Sequence, residues 1–278
     1  MKKIVIIGVG LIGGAIGKAV IARGLADEVV GVCRRDVSLE KALKAKAVTS
    51  GVVGLSPEAV EGADMIIIAT PVTSIKNTLD ELAGLVNNID LIVSDVGSTK
   101  KEIVEYAAQY KDKFYFIGAH PLAGGEKTGV DSSREDLFEG SVCVITPEQN
   151  VDEGKLKELN DFWKTLGANI DLMEPDKHDE ILAFTSHLPH VLAYSLAGSQ
   201  KVDFSRYMST GFKDTSRIAS SDPTLWTDIF MSNKKNVLRA IGVYKEILSG
   251  IEKDILSEQE GSLKNKLTEY KKVRDDIV

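Results

Sequence analysis

The sequence has few of the residues that build disulfide scaffolds or thiolate metal sites. Cys33 and Cys143 are the two cysteines among 278 residues, and they lie far apart, outside any C-x-x-C pair. Secreted disulfide frameworks and cysteine-based zinc sites need more thiols at closer spacing. We therefore expect two reduced thiols, no bound metal and a cytoplasmic location.

The chain also lacks an excess of positive charge. Its formal net charge is −7 and its isoelectric point is about 5.3. Nucleic acids and anionic membranes select basic surfaces, so we expect neither as a partner. A small anionic substrate is compatible with this charge, because a few local arginines outweigh a weak overall field.

No window after the first twenty residues is long and apolar enough to span a membrane. Those twenty, MKKIVIIGVGLIGGAIGKAV, fit either a secretory signal peptide or a strand followed by a glycine turn. The crowded glycines Gly8, Gly10, Gly13, Gly14 and Gly17 disfavour the helix of a signal peptide. We interpret the stretch as the entry to a nucleotide-binding fold.

Strand-like and helix-like segments alternate through the first half of the chain. The strand-like runs are IVIIGVG, EVVGVCR, DMIIIATP, DLIVSDVGS, FYFIGAHP and SVCVITP. This order predicts an α/β Rossmann-type dinucleotide-binding domain with a mostly parallel sheet over residues 1–174. Only helical patterns follow, so residues 175–278 are expected to form an all-α domain. Its apolar stripes favour a homodimer joined through that domain.

The motif Gly8-x-Gly10-x-x-Gly13 follows the first strand and opens the first helix. In such folds the first glycine permits the turn, the second admits the pyrophosphate, and the third allows close packing of helix and strand. Leu11 and Ile12 complete this predicted cofactor segment.

The choice of nucleotide depends on the end of the second strand. An acidic residue that binds the ribose 2′-hydroxyl is expected about 20 residues after the glycines. This sequence has Cys33 there, followed by Arg34 and Arg35. Two guanidinium groups can pair with a 2′-phosphate, which favours NADP over NAD. Asp36 lies close enough to leave NAD open.

Polar residues follow three further predicted strands. Thr70 and Pro71 end the third strand, either as a nicotinamide-ribose contact or as a plain strand terminator. Ser98 follows DLIVSDVGS and His120 ends FYFIGAHP, both at strand ends where ligands of open α/β sheets bind. A neutral imidazole suits removal of a hydroxyl proton as hydride leaves the same carbon. Ser98 is a candidate for fixing its tautomer.

Five motifs occur in order between the opening glycines and about residue 250: GVGLIGG, DVGSTK, GAHPLAGGEKTGV, TSHLPH and GFKDTSRIASSDPTLW. On these motifs the sequence resembles the prephenate/arogenate (cyclohexadienyl) dehydrogenases of tyrosine biosynthesis. The resemblance implies NAD(P)-dependent oxidative decarboxylation of prephenate to 4-hydroxyphenylpyruvate, or of arogenate to tyrosine. It also implies a helical domain that forms the homodimer.

The resemblance assigns roles residue by residue. His120 matches the catalytic histidine and Ser98 the serine that orients it. The matches to substrate-binding residues are Arg217, which would bind a carboxylate, together with Ser186, His190, Trp226 and Glu126. Each histidine of TSHLPH could instead be a buried, hydrogen-bonded core residue.

Two departures from the family pattern bear on the substrate. Gly125 stands where many relatives have serine or threonine, and Tyr207 to Thr210 replace a more glycine-rich segment. Glu126 is a carboxylate that would pair with the ammonium group of arogenate, so an unchanged substrate ratio in Glu126→Gln would refute that hypothesis.

Two other functions remain open at this stage. A β-hydroxyacid or imine reductase of similar build would place a catalytic lysine in the helical domain, or lack a histidine after the fifth strand, and TSHLPH speaks against it. A non-catalytic NADP(H) sensor would lose one of His120, Ser98 or Arg217, and the sequence has all three.

Overall fold

The computed structural model describes residues 1–125, 128–148 and 150–277. Glu126 therefore lies outside the described residues. The chain packs into two compact units, Met1–Asn233 and Lys234–Val278. The first unit continues beyond residue 174, and the domain limits expected from the sequence stay a prediction.

The secondary structure alternates as expected in the first half of the chain. The strands are β1 Lys3–Ile7, β2 Glu28–Cys33, β3 Ser50–Val53, β4 Met65–Ile68, β5 Ile92–Asp95, β6 Tyr115–Phe116, β7 Gly118–Pro121, β8 Val142–Thr146 and β9 Asn169–Leu172. The first helices are α1 Leu11–Ala22, α2 Asp36–Lys44, α3 Pro57–Val60, α4 Val72–Leu85, α5 Lys101–Ala107 and α6 Glu153–Thr165. The later helices are α7 Pro175–Leu182, α8 Leu188–Gly198, α9 Thr210–Ser216, α10 Pro223–Ser232, α11 Lys234–Leu256 and α12 Glu260–Ile277.

Six strands form a parallel sheet in the order β3-β2-β1-β4-β5-β6. This is the Rossmann order, with the crossing point between β1 and β4. Helices cover both faces, so β4 is buried along its whole length and reads as the continuous run MIII. The Rossmann-type α/β prediction is confirmed.

The stretch FYFIGAHP is divided between two sheets, so its prediction as one strand is wrong. Tyr115–Phe116 extends the parallel sheet, whereas Gly118–Pro121 pairs antiparallel with β8, which in turn pairs with β9. Gly118 allows β7 to approach β8 this closely, because a Cβ there would lie 2.5 Å from Oγ1 of its partner Thr146. His120 consequently belongs to the smaller sheet and not to a parallel strand end.

The segment after residue 174 is helical in every described element, as expected. Helices α7 and α8 are joined by a π-helical turn at Ala183–His187. Pro189 lies in the first turn of α8, where its missing N–H and its ring favour such a widened turn. The pattern over DPTLW to KDIL predicts one long helix, but the helix breaks at Asn233.

The second unit consists of α11 and α12, which pack against each other. Asp254 on α11 accepts a hydrogen bond from Ser262 and pairs with Lys266, and Lys266 also donates to the carbonyl of Gly250. Each helix of the described ranges is too short or too polar to cross a lipid bilayer.

Candidate active site

The turn between β1 and α1 has the geometry that the glycine motif predicts. Gly8 has a φ of +94°, a conformation that favours glycine, and a Cβ there would lie 2.7 Å from the carbonyl oxygen of Ala69. A Cβ at Gly13 would lie 2.1 Å from the carbonyl oxygen of Gly8. A Cβ at Gly10, in contrast, would meet no atom within 4 Å. The free space beside Gly10 is where a pyrophosphate can approach the backbone.

A groove of about 700 Å³ opens beside this turn, at the carboxyl ends of the parallel strands. The predicted cofactor residues that line it are Gly8, Gly10, Arg34, Arg35, Thr70 and Pro71. Leu11, Ile12 and Gly13 begin α1 and are not among its described lining residues. Their contact with a dinucleotide stays a prediction.

One buried hydroxyl in the groove is suited to a ligand contact. Oγ1 of Thr70 is buried and has no hydrogen-bond partner among the described residues. A buried hydroxyl without a partner costs free energy unless a ligand or water satisfies it. Together with the space at Gly10, this atom fits a dinucleotide lying across the ends of β1 and β4.

Sequence reasoning missed two groove residues on α2. Ser38 and Lys41 line the same end of the groove as Arg34 and Arg35. Nζ of Lys41 lies 3.9 Å from a carboxylate oxygen of Asp131, which also lines the groove. The helical spacing of three residues between Ser38 and Lys41 was the available signal, since it places both on one face of α2.

His120 is half-buried and belongs to a chain of hydrogen-bonded groups. Its Nδ1 lies 2.9 Å from Nε2 of His178, and Nδ1 of His178 lies 2.8 Å from Oδ1 of Asp179. His178 is fully buried and Asp179 is 2% exposed. The two residues follow each other in the middle of α7, so this helix supports the histidine of β7.

The carboxylate of Asp179 is held at the start of α5. Its oxygens accept hydrogen bonds from the backbone N–H groups of Lys100, at 2.8 Å, and Lys101, at 3.0 Å. Loop β5–α5, which contains Ser98, is thereby joined to α7. Ser98 is half-buried in this loop, and the next two residues, Thr99 and Lys100, hydrogen-bond to Ser232 and Asp179 of the helical segment.

A buried ion pair fixes the backbone next to His120. The side chain of Lys100, which is fully buried, contacts Asp95 and donates to the carbonyl oxygen of Ala119 at 2.9 Å. Burial raises the pKa of Asp95 and lowers the pKa of Lys100, whereas the contact between them opposes both shifts. The pair joins the end of β5 to β7.

The environment of His120 keeps its imidazole neutral. Burial lowers the pKa of His120 well below its ordinary value of 6.5, and the neighbouring His178 and Lys100 lower it further. A neutral imidazole has one nitrogen free to accept a proton. His120 is thus a base at neutral pH.

The polar residues of the helical segment form a second cluster. The ring of His190 stacks on the indole of Trp226, with centroids 3.3 Å apart, and its Nδ1 lies 3.0 Å from the carbonyl oxygen of Ser186. Tyr194 of the same helix donates to the carbonyl oxygen of Ser221 at 2.8 Å. This bond holds α8 beside the segment that carries Arg217.

His187 is a buried, hydrogen-bonded core residue. This is one of the two alternatives that the sequence left open for the histidines of TSHLPH. It is 1% exposed, and its Nδ1 lies 3.2 Å from Nδ2 of Asn233, which also donates to the carbonyl oxygen of Asp179. Asn233 therefore ties the end of α10 to both α7 and the π-helical turn.

Acid is expected to destabilise the protein through these buried histidines. Burial lowers the pKa of His187 to about 4 and also lowers that of His178, whereas an unfolded histidine titrates near 6.5. Below pH 6.5 the unfolded chain binds protons that the folded chain does not, so stability is complete above this pH and falls below it. The loss is about 1.4 kcal/mol per pH unit for each such histidine.

Urea unfolding between pH 7.5 and 5.5 measures this loss, because most unfolded carboxylates are still ionised there. His187→Gln is the matched variant and should reduce the slope by about one proton. An unfolding free energy that does not change over this range would contradict the neutral burial of both histidines.

Comparison with known proteins agrees with the two-part fold. Residues 16–172 match the family model of the prephenate dehydrogenase nucleotide-binding domain. Residues 174–269 match the family model of the prephenate dehydrogenase dimerization domain. Prephenate dehydrogenase of Bacillus subtilis is 35% identical over 84% of this chain, which spans 65% of that relative's length.

Two solved structures are similar over nearly the whole chain. Prephenate dehydrogenase of Aquifex aeolicus, in complex with hydroxyphenyl propionate and NAD+, is 32% identical, with a TM-score of 0.92 and coverage of 100% of this chain and 99% of that one. Arogenate dehydrogenase of Synechocystis is 31% identical, with a TM-score of 0.83 and coverage of 99% and 100%. On the two family matches, these relatives and the shared fold, the chain belongs to the prephenate dehydrogenase family.

Proposed function

We propose that the protein catalyses the NAD(P)-dependent oxidative decarboxylation of prephenate, of arogenate or of both. The observation that carries the proposal is the neutral, half-buried His120, supported by His178 next to a dinucleotide-binding fold. The family membership and the hydroxyphenyl ligand of the Aquifex aeolicus structure support the same substrate class. Formation of reduced nicotinamide on addition of either substrate tests it.

The reaction needs a base that takes a proton from a ring hydroxyl and then returns it. A bound nicotinamide supplies the hydride acceptor. As the carbinol C–H bond breaks, Nε2 of His120 takes the hydroxyl proton and a ring ketone forms. The bond from the ring to its carboxylate then breaks, carbon dioxide leaves, and its electron pair makes the ring aromatic. His120 returns the proton to the phenolic oxygen, so no net proton is released.

The other predicted residues serve binding and orientation in this proposal. Arg217 binds a substrate carboxylate, for which a guanidinium fork is the natural partner. His190 and Trp226 form one wall of the pocket through their stacked rings, and Ser186 lies beside them. Ser98 contacts the ring hydroxyl together with His120. Because aromatisation supplies driving force, positioning of substrate against base is the main task of these residues.

We further propose that NADP is the preferred cofactor. Arg34, Arg35, Ser38 and Lys41 line one end of the groove, and Asp36 is not among its described lining residues. Three positive groups and a hydroxyl suit a 2′-phosphate, whereas a ribose 2′-hydroxyl is usually bound by a carboxylate.

Variants of these residues are expected to change the affinity for NADP+ and not for NAD+. Arg34→Ala, Arg35→Ala and Lys41→Ala should each raise the KM for NADP+ by about tenfold, because each removes a charge-assisted contact to phosphate. Lys44→Ala is the matched control, since Lys44 is an exposed lysine of the same helix outside the groove lining. Equal effects on both cofactors, or an effect of the control, would refute the assignment.

A homodimer through the helical region is also proposed. The match to a dimerization domain supports it. So do the exposed apolar side chains of α11 and α12, among them Leu238, Leu248, Ile255, Leu256 and Leu267. The cytoplasmic location stays a prediction.

A further inference from the structure

The chain of hydrogen bonds behind His120 has a direction that its chemistry determines. At the far end, the N–H groups of Lys100 and Lys101 can only donate, so both carboxylate oxygens of Asp179 act as acceptors. Nδ1 of His178, 2.8 Å from Oδ1 of Asp179, must then carry the proton of that hydrogen bond.

The direction of this hydrogen bond also determines which nitrogen of His120 carries a proton. Burial lowers the pKa of His178, although Asp179 opposes the shift, so the ring is neutral and carries one proton. With that proton on Nδ1, Nε2 of His178 has only a lone pair to offer. Nδ1 of His120, 2.9 Å away, is therefore the donor, and the lone pair of His120 is on Nε2.

We propose that His178 and Asp179 are positioning residues that hold His120 in the Nδ1-protonated tautomer and so make its Nε2 the base of the reaction. The proposal rests on the proposed function for the identity of the reaction. The tautomer itself does not depend on which substrate the protein turns over.

The same arrangement stabilises the base once it is protonated. A proton on Nε2 makes His120 a cation, and its Nδ1–H bond to His178 strengthens toward the anionic Asp179. The buried pair of Lys100 and Asp95 keeps Ala119, and with it the backbone of His120, in place meanwhile. The carboxylate thus acts on His120 through an intervening ring and touches no reacting atom.

Several titratable groups face the two rings and must be held constant in any test. They are Asp95 at the end of β5, Lys100 before α5, Cys143 in β8 and His187 in the π-helical turn. Substitutions confined to α7 leave all of them in place. His178→Gln keeps both a donor and an acceptor, whereas His178→Leu has neither. Asp179→Asn removes the anion.

The direct experiment reads the tautomers by ring 15N NMR of protein labelled at histidine. The sequence has four histidines, so the spectrum is simple, and His120→Asn assigns the signal. We expect a protonated Nδ1 and an unprotonated Nε2 at His120 near neutral pH. A proton on Nε2, or a cationic ring, would overturn the proposal.

Kinetics of the α7 variants provide the second test. His178→Leu and Asp179→Asn are expected to lower kcat by roughly 10- to 100-fold, and His178→Gln to recover most of the loss. The acid limb of kcat/KM should move to lower pH in Asp179→Asn, because the cationic ring loses its anion. If the two residues had only a structural role, their substitution would admit water to His120. The acid limb would then move to higher pH, toward the ordinary pKa of histidine.

Asp176→Asn is the matched control, since Asp176 lies on the same helix, is exposed and forms its ion pair with the side chain of Lys101. It should leave the acid limb unchanged. If neither prephenate nor arogenate is turned over, the proposed function fails while the NMR result still decides the tautomer. Equal losses in His178→Gln and His178→Leu would overturn the role of His178.

Discussion

His120→Asn is expected to lower kcat by about 10²- to 10⁴-fold, the range that a positioned general base contributes. The substitution removes the nitrogen that takes the ring hydroxyl proton, while the amide of asparagine can still occupy the space next to His178. The groove for the dinucleotide is lined by other residues. We therefore expect the dissociation constant for NADP+ to stay within about twofold of the original value.

Steady-state kinetics and a cofactor titration measure these two quantities separately. The acid limb of kcat/KM in the unmodified protein should also lie below pH 6.5, since burial and neighbouring positive groups lower the pKa of His120. A variant that keeps kcat within threefold would show that another group, with Ser98 the first candidate, takes the proton.

Alanine at Gly10 and alanine at Gly13 are expected to have opposite effects on stability and cofactor binding. Gly13→Ala places a Cβ 2.1 Å from a backbone carbonyl oxygen, which must move, and α1 must move with it. Such overpacking costs about 1–3 kcal/mol or more of unfolding free energy. Gly10→Ala meets no atom within 4 Å and should cost about 1 kcal/mol or less.

For cofactor affinity, Gly10→Ala is expected to have the larger effect of the two variants. The Cβ of Gly10→Ala occupies the space that the pyrophosphate needs, so the dissociation constant for NADP+ should rise on the order of tenfold or more. Urea unfolding without cofactor and fluorescence titration with NADP+ give the two numbers for each variant. Normal NADP+ affinity in Gly10→Ala would show that the pyrophosphate does not approach this turn.

Much of the fold could be predicted because its signals are local. The glycine turn, the buried runs of β1, β4 and β5, and the helical texture after Asp176 each lie within a dozen residues of sequence. The division of FYFIGAHP could not be predicted this way. An apolar run indicates a buried strand but does not say which sheet it joins, and that choice depends on Gly118 and the distant Thr146.

The sequence motifs could predict only part of the candidate site. They contain His120, His190 and Trp226, and the rings of the last two are stacked. His178 and Asp179 were missed because HDEIL resembles the polar first turn of a surface helix, while both side chains are buried. Lys100 was missed for a similar reason. Lysine is almost never fully buried unless it is paired. In the sequence, Asp95, the partner of Lys100, resembles an ordinary residue at a strand end.

The most direct test of the central claim is reduction of nicotinamide by the purified protein, followed through the near-ultraviolet absorbance of the reduced cofactor. Prephenate and arogenate are each combined with NAD+ and with NADP+, and carbon dioxide release is measured in parallel. We predict turnover with at least one of the two substrates, a higher kcat/KM with NADP+, and one carbon dioxide released for each reduced cofactor. Intact NADP+ binding without turnover in all four mixtures would contradict the proposed dehydrogenase activity.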